Sequence, residues 1–146
     1  MANATEEKFG DPDTRIAQTA RWTVLLRPRQ PTLGSLALVC REPAQAFGEL
    51  SAEAFVELRE VIARIEKTLR EVVGYQRINY LMLMMVDLDV HFHVIPRYEG
   101  SREFAGTAFV DAGWPGQPAL EPAVALDATL RAALGTALRD AWARSA

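Results

Sequence analysis

Residues 89–94 alternate polar and apolar side chains, and this short stretch constrains the fold more than any other part of the sequence. Its polar members are Asp89, His91 and His93, and its apolar members are Val90, Phe92 and Val94. Such alternation is typical of a β-strand, in which side chains two residues apart share one face and lie about 6.6 Å from each other. Pro96 has no N–H to donate to a neighbouring strand, so it marks the end of this strand together with Arg97. We therefore expect both histidines of the chain on one strand face, with an apolar core against the other.

Two helices are predicted on either side of this strand. Residues 51–74 are predicted to form the longest one, with Ser51 as its N-cap and Gly74 at its end. A last helix is predicted at about residues 127–144, beginning after Asp127 as N-cap. Both helices are expected to present an apolar face to the rest of the protein.

Three further apolar stretches are predicted to be strands. Residues 22–26 and residues 35–41 are rich in β-prone side chains, and they are expected to pair as a hairpin or its equivalent. Residues 75–86 are almost continuously apolar, as expected for a central strand or for a contact between subunits. We expect this strand to run antiparallel to residues 90–96.

One domain spanning residues 1–146 is expected, because a chain of this length with 49% hydrophobic residues can bury a single core. The core is placed at about residues 13–118, ahead of the C-terminal helix. Residues 1–12 are interpreted as a loose terminus, after which Asp13 is predicted to cap a short helix that reaches Ala17.

Charge and cysteine content restrict the partners and the compartment. The formal net charge of −3 comes from interspersed charges, which argues against nucleic-acid polymers and anionic membranes as partners. A small-molecule ligand is expected, without a cofactor. The single cysteine, Cys40, excludes an internal disulfide and is interpreted as a buried, inert thiol. The first twenty residues contain no apolar signal core, so a cytoplasmic protein is expected.

The stretch His-Phe-His-Val-Ile-Pro-Arg resembles the motif of the histidine triad (HIT) family, in which three histidines alternate with apolar residues. On that motif Asp89 takes the first histidine position, His91 the second and His93 the third. The resemblance implies an α+β fold, with an antiparallel sheet, one long helix packed on it and here an additional C-terminal helix. It also implies a homodimer that binds nucleotides or dinucleoside polyphosphates, with His91 as the nucleophile.

The resemblance also suggests substrate-binding residues outside the motif. Where the family usually has another histidine after a glycine, this chain has Ser35. Arg27 stands where the family often has an aspartate that binds ribose hydroxyls. Asn79 matches the start of a glycine-rich phosphate-binding segment, the rest of which is replaced by apolar residues. Arg27 and Arg97 are candidates to offset the negative charge that Asp89 brings near a polyphosphate.

The chemistry implied is nucleotidyl transfer through a covalent histidine intermediate, on a phosphoanhydride or a phosphoramidate. A neutral ring nitrogen of His91 would attack phosphorus, while its other nitrogen is held by the backbone carbonyl of residue 89. His93, one repeat along the strand, would act as a general acid for the leaving oxygen. Asp89 could stabilise the positively charged imidazolium that His91 becomes.

Two other functions stay open at this point. One is a dimeric nucleotide-binding or ligand-binding module that has kept the fold and lost catalysis. The other is a metal site, because Asp89, His91 and His93 place three ligand types on one strand face. The apolar run at residues 80–86 favours a homodimer in any of these cases.

Overall fold

The computed structural model describes residues 2–146, and in this part of the chain it contains three α-helices and nine β-strands. The helices are α1 (Ala4–Lys8), α2 (Ala52–Val72) and α3 (Ala128–Arg144). The strands are β1 (Arg15–Gln18), β2 (Trp22–Leu26), β3 (Arg29–Gln30), β4 (Leu36–Cys40), β5 (Arg77–Leu81), β6 (His91–Arg97), β7 (Ser101–Phe104), β8 (Thr107–Val110) and β9 (Val124–Ala125).

Five strands form one sheet in the order β1-β2-β4-β6-β5, and every neighbouring pair in it is antiparallel. The predicted pairing of β2 with β4 is confirmed, and so is the antiparallel pairing of β5 with β6. The remaining strands form two separate pairs, β3 with β9 and β7 with β8. The predicted α+β class, with an antiparallel sheet, a long helix and a C-terminal helix, is therefore confirmed.

The core lies between one face of the sheet and the two long helices. Alternate side chains of the central strands enter it, and they meet apolar side chains of α2 and α3: Val24, Leu26, Leu36, Leu38, Val94, Leu58, Ile65, Leu69, Leu134 and Leu138. The intervening side chains point to the opposite face, where Leu25, Ala37 and Val39 pack with Phe9. Because side chains alternate along a strand, one face of the sheet belongs to the main core and the other face does not.

The predicted caps of both long helices are confirmed. Ser51 Oγ accepts a hydrogen bond from the backbone N–H of Ala54 at 3.1 Å, and Asp127 Oδ1 accepts one from Leu130 at 2.8 Å. Each bond satisfies a backbone donor that has no partner inside the helix. Gly74 follows α2 with a φ of +65°, a conformation that glycine adopts without strain. No helix among residues 2–146 combines the length and the apolar character that a membrane span requires.

The predicted structure of the N-terminal region is wrong in two respects. Residues 4–8 form helix α1 instead of a loose terminus, because Asn3 and Glu6 cap it reciprocally through two side-chain bonds of 2.9 Å. The helix predicted after Asp13 is strand β1, which pairs with β2 at the edge of the sheet. Backbone pairing with an existing strand outweighs the weak local preference for a helix.

The predicted strand at residues 75–86 is too long. Strand β5 ends at Leu81, which pairs with His93, and residues 82–90 form a loop. Leu83, Met85 and Val86 of this loop line a cavity in front of His93. An apolar run can therefore form a buried strand or the wall of a cavity, and the sequence pattern alone does not distinguish the two.

Candidate active site

The orientation of His91 is set by the backbone two residues before it. His91 Nδ1 lies 2.6 Å from the carbonyl oxygen of Asp89. A carbonyl only accepts hydrogen bonds, so Nδ1 is the donor, and in the neutral ring Nε2 is left with a free lone pair. Among residues 2–146 the buried Nε2 has no hydrogen-bond partner. The ring is thus held in the tautomer that a nucleophile requires.

His93 lies beside His91 on the same face of β6. The two ring centroids are 5.2 Å apart and the rings are nearly perpendicular, at 87°. His93 is 8% exposed, and burial, with help from the charge of Arg27, lowers its pKa to about 4. His93 is therefore neutral at neutral pH in the free protein, and it can donate a hydrogen bond through a ring N–H. The predicted role as general acid needs an anion beside it that raises this pKa.

The buried neutral state of His93 predicts how stability depends on pH. Between an ordinary unfolded pKa of about 6.5 and the folded value of about 4, the unfolded chain binds more protons at this ring than the folded protein. We expect the free energy of unfolding to be constant above pH 6.5 and to fall by about 2–3 kcal/mol on acidification to pH 4. Urea titrations across this pH range should show that the free energy of unfolding depends less on pH in His93→Gln than in the wild type. Equal slopes in both proteins would mean that His93 titrates normally.

The N-terminal helix covers the two histidines. The Phe9 ring packs against both rings, with its centroid 5.7 Å from His93 and 6.5 Å from His91. His91 is fully buried under this arrangement. Phe9 is thus one of the side chains that cover the histidine face of β6.

Helix α1 is attached to the strand ends around the site by polar contacts. The side chain of Asn3 donates to the carbonyl of Cys40 at 3.0 Å, and Lys8 Nζ lies 2.8 Å from Asp87. Thr5 donates to the Asp89 carboxylate through its backbone N–H at 3.2 Å and its hydroxyl at 2.9 Å. These contacts hold the segment that carries Phe9 against the start of β6.

The predicted role of the Asp89 side chain does not fit its position. Asp89 precedes β6, and its carboxylate is used by Thr5 instead of facing the histidines. What Asp89 contributes to the site is its backbone carbonyl, which any residue would supply. Among residues 2–146, no group of three histidine, cysteine, aspartate or glutamate side chains is placed to hold a metal ion. The Asp-x-His-x-His sequence therefore does not converge on a metal centre.

A cavity of about 620 Å³ opens in front of His93. Its wall is mostly apolar and combines α1, the turn after β2, the loop after β5 and a late loop: Phe9, Pro28, Leu83, Met85, Val86 and Leu120. Its charged side chains are Lys8, Arg27, Arg29 and Asp87. Arg27, predicted from the sequence, is thus placed in the same cavity as His93, and burial lowers the pKa of its guanidinium.

Ser35 does not reach this cavity. Its side chain is fully buried in the turn before β4, where the hydroxyl donates to the carbonyl of Thr32 at 2.9 Å. The backbone N–H of Thr32 donates back to Ser35 Oγ at 3.3 Å. The hydroxyl therefore stabilises its own turn, and the predicted role in substrate binding is not supported by its position.

Asn79 and Arg97 lie together at a different place on the sheet. Arg97 Nη1 donates to Asn79 Oδ1 at 2.7 Å, and both side chains line a second cavity of about 290 Å³ with Trp114 and Gly116. Arg97 is 4% exposed and forms a buried ion pair with Asp111 at 2.7 Å. Its charge is already compensated, so the predicted role of Arg97 in offsetting a polyphosphate is not supported by this geometry.

Several residues of the site were not found from the sequence. Phe9, Lys8 and Leu120 line the cavity although they lie far from the histidines in the chain. The pattern of Asn3 and Glu6 at a spacing of three is a capping-box signal that predicts helix α1. No local pattern indicates that this helix lies over the histidines, because the helix and the histidines lie far apart in the sequence.

Structural comparison relates this arrangement to solved proteins. A histidine triad protein of Bradyrhizobium japonicum superposes with a TM-score of 0.74 at 23% identity, covering 96% of each chain. A histidine triad protein of Sinorhizobium meliloti gives 0.74 at 20% identity, covering 96% of this chain and 95% of the other. A hypothetical histidine triad nucleotide-binding protein of Sulfolobus tokodaii gives 0.72 at 15% identity, covering 90% and 84%. No protein-family model and no curated protein matches the sequence.

Proposed function

We propose, from the histidine triad fold that this chain has, that the protein is a nucleotide hydrolase or nucleotidyl transferase. Its substrate would be a phosphoanhydride or a phosphoramidate. The observation that carries this proposal is the bond of 2.6 Å between His91 Nδ1 and the carbonyl of Asp89. In the neutral ring this bond leaves Nε2 unprotonated, which is the state that attacks phosphorus.

The proposed reaction has two displacements at phosphorus. In the first, His91 Nε2 forms a P–N bond while the bond from phosphorus to the leaving group breaks. The negative charge of a bound phosphate raises the pKa of His93, which then gives a hydrogen bond or a proton to the leaving oxygen. In the second, water or another acceptor attacks the same phosphorus and gives its proton to His93, the P–N bond breaks and His91 Nε2 regains its lone pair.

A nucleotide-like small molecule is the proposed ligand. The cavity beside His93 has apolar walls that suit a base or another flat ring, and Arg27 supplies a positive charge. The similar protein of Sulfolobus tokodaii is named as nucleotide-binding, which supports the same ligand class here.

A substrate screen tests this proposal. Purified protein would be incubated with dinucleoside polyphosphates, nucleoside phosphoramidates and nucleotide anhydrides, and the products identified by mass spectrometry. We expect release of a nucleoside monophosphate from at least one of these substrates. No turnover of any of them would contradict the proposed enzymatic function.

We also propose that the chain forms a homodimer. The loop after β5 exposes Met85 at 84% and Val86 at 81%, together with Leu83 and Leu88. Exposed apolar side chains in one contiguous loop favour a subunit contact. Light scattering at micromolar concentration is expected to give twice the mass of 16.2 kDa, and a stable monomer would contradict this.

A dimeric ligand-binding module is the second candidate, because His91 is fully buried beneath Phe9. In that case the cavity in front of His93 would bind a nucleotide without turnover. Binding of a nucleotide that the protein does not cleave would favour this function over the enzyme.

A further inference from the structure

The guanidinium of Arg27 has no partner in the part of the chain that the structure describes. Its side chain makes no hydrogen bond to residues 2–146, and Nε and Nη1 are both buried without a partner. Two N–H groups of a charged side chain that are removed from water and left unpaired cost free energy, although the Arg27 side chain as a whole is only partly buried. Such an atom pattern in the wall of a cavity indicates that a ligand supplies the missing acceptors.

The other charges of the cavity are already compensated. Lys8 lies 2.8 Å from Asp87, and Arg29 lies 3.1 Å from Glu121. Glu121 is close enough to raise the pKa of Arg27 slightly, but this effect is smaller than that of burial. Since His93 is neutral in the free protein, Arg27 is the uncompensated charge among these cavity residues.

The strand register places Arg27 away from the reacting atoms. Ala37 of β4 pairs with Leu25 of β2 on one side and with His93 of β6 on the other. Arg27 follows Leu25 by two residues, so it lies on the same face of the sheet. Standard strand spacings put the Cα of Arg27 about 12 Å from that of His93 and about 17 Å from that of His91. Nε2 of His91 and the guanidinium come close enough to share one phosphate only when both side chains extend fully towards each other, so a second anionic group of the same ligand meets Arg27 more readily. We take the anion at Arg27 to be such a second group, distinct from the phosphate that His91 would attack.

We propose that the site takes a nucleotide that carries a second phosphate on its sugar, bound by Arg27. This inference rests on the proposed function for the location of the reacting phosphate. In dinucleotide-binding folds an acidic side chain binds the free sugar hydroxyls, whereas an arginine accommodates a phosphate on the sugar, and the same chemistry applies to Arg27 here. The apolar walls leave room for the base, and the N–H groups of Arg27 meet the phosphate oxygens.

Calorimetric titration with four ligands that need no turnover tests the proposal: AMP, ADP, adenosine 2′,5′-bisphosphate and adenosine 3′,5′-bisphosphate. ADP and the two bisphosphates each have two phosphate groups, so a difference in affinity among them reflects the position of the second phosphate and not its charge. We expect one bisphosphate to bind about 10- to 100-fold more tightly than AMP and ADP, which corresponds to one or two charge-assisted hydrogen bonds.

Two variants complete the test. Arg27→Gln should remove the preference for the bisphosphate over AMP and ADP. Arg59→Gln removes an equal charge from an exposed position on α2 and should keep the preference. Thermal melts would establish that both variants are folded.

The possible failures differ from one another. If AMP binds and the bisphosphates bind no more tightly, or if Arg27→Gln keeps the preference, the inference is wrong while the proposed function stands. If none of the four ligands binds, both the inference and an adenine nucleotide as substrate are contradicted.

Discussion

Replacing His91 by alanine is expected to lower turnover of a dinucleoside polyphosphate by about 10³-fold or more, because the group that attacks phosphorus is lost. Binding should change little, since a nucleophile acts mainly in the transition state. Single-turnover kinetics and calorimetry on the same preparation would separate the two effects. In the wild type, a brief quench should trap a nucleotidyl adduct on His91 that is stable in base and labile in acid.

A second variant distinguishes the carbonyl of residue 89 from its side chain. Asp89→Asn keeps the carbonyl that orients His91, and it keeps an oxygen that can accept from Thr5. We therefore expect turnover within about tenfold of the wild-type rate.

Turnover by His91→Ala at the wild-type rate would reject the covalent mechanism. A large loss in Asp89→Asn would instead assign a direct role to the carboxylate.

Asp111→Ala is expected to produce the largest loss of stability, about 3–5 kcal/mol, because it leaves the Arg97 charge buried without its counterion. The side chains of Arg97 and Asp111 are 4% and 1% exposed, and they are joined by bonds of 2.7 and 3.2 Å. Asp111 also accepts from the backbone N–H of Tyr98 at 3.1 Å. A fall in melting temperature of roughly 10 °C should result, measurable by calorimetry.

The exposed pair of Glu71 and Arg144 provides the matched control. These groups are 3.0 Å apart, but their side chains are about half exposed. Glu71→Gln should leave the melting temperature unchanged within error, because water and salt screen a surface pair. If Asp111→Ala melted like Glu71→Gln, the buried pair would have no net stabilising effect. Arg97→Met combined with Asp111→Leu should recover part of the loss, since no buried charge then remains unpaired.

The sequence by itself determined the elements whose signals are local and periodic. Alternation identified β6 and the shared face of His91 and His93, and capping residues located α2 after Ser51 and α3 after Asp127. These features follow from backbone geometry within a few residues, so they survive whatever packs against them. The carbonyl that orients His91 was predictable for the same reason, because it lies two residues away.

Only the tertiary structure decided which side chains the site contains. Ser35 and Arg97 are polar residues near the sheet, but a buried turn and a buried ion pair occupy them. Phe9 packs against the histidines although it lies more than 80 residues earlier in the chain, and Arg27 lines the cavity in front of His93 from across the sheet. A hydrogen-bonding group pairs with the partners that the tertiary fold places beside it, and the local sequence does not show which partners these are. The position of Asp89 shows the difference most directly, because its backbone does what the motif implies while its carboxylate binds Thr5 instead.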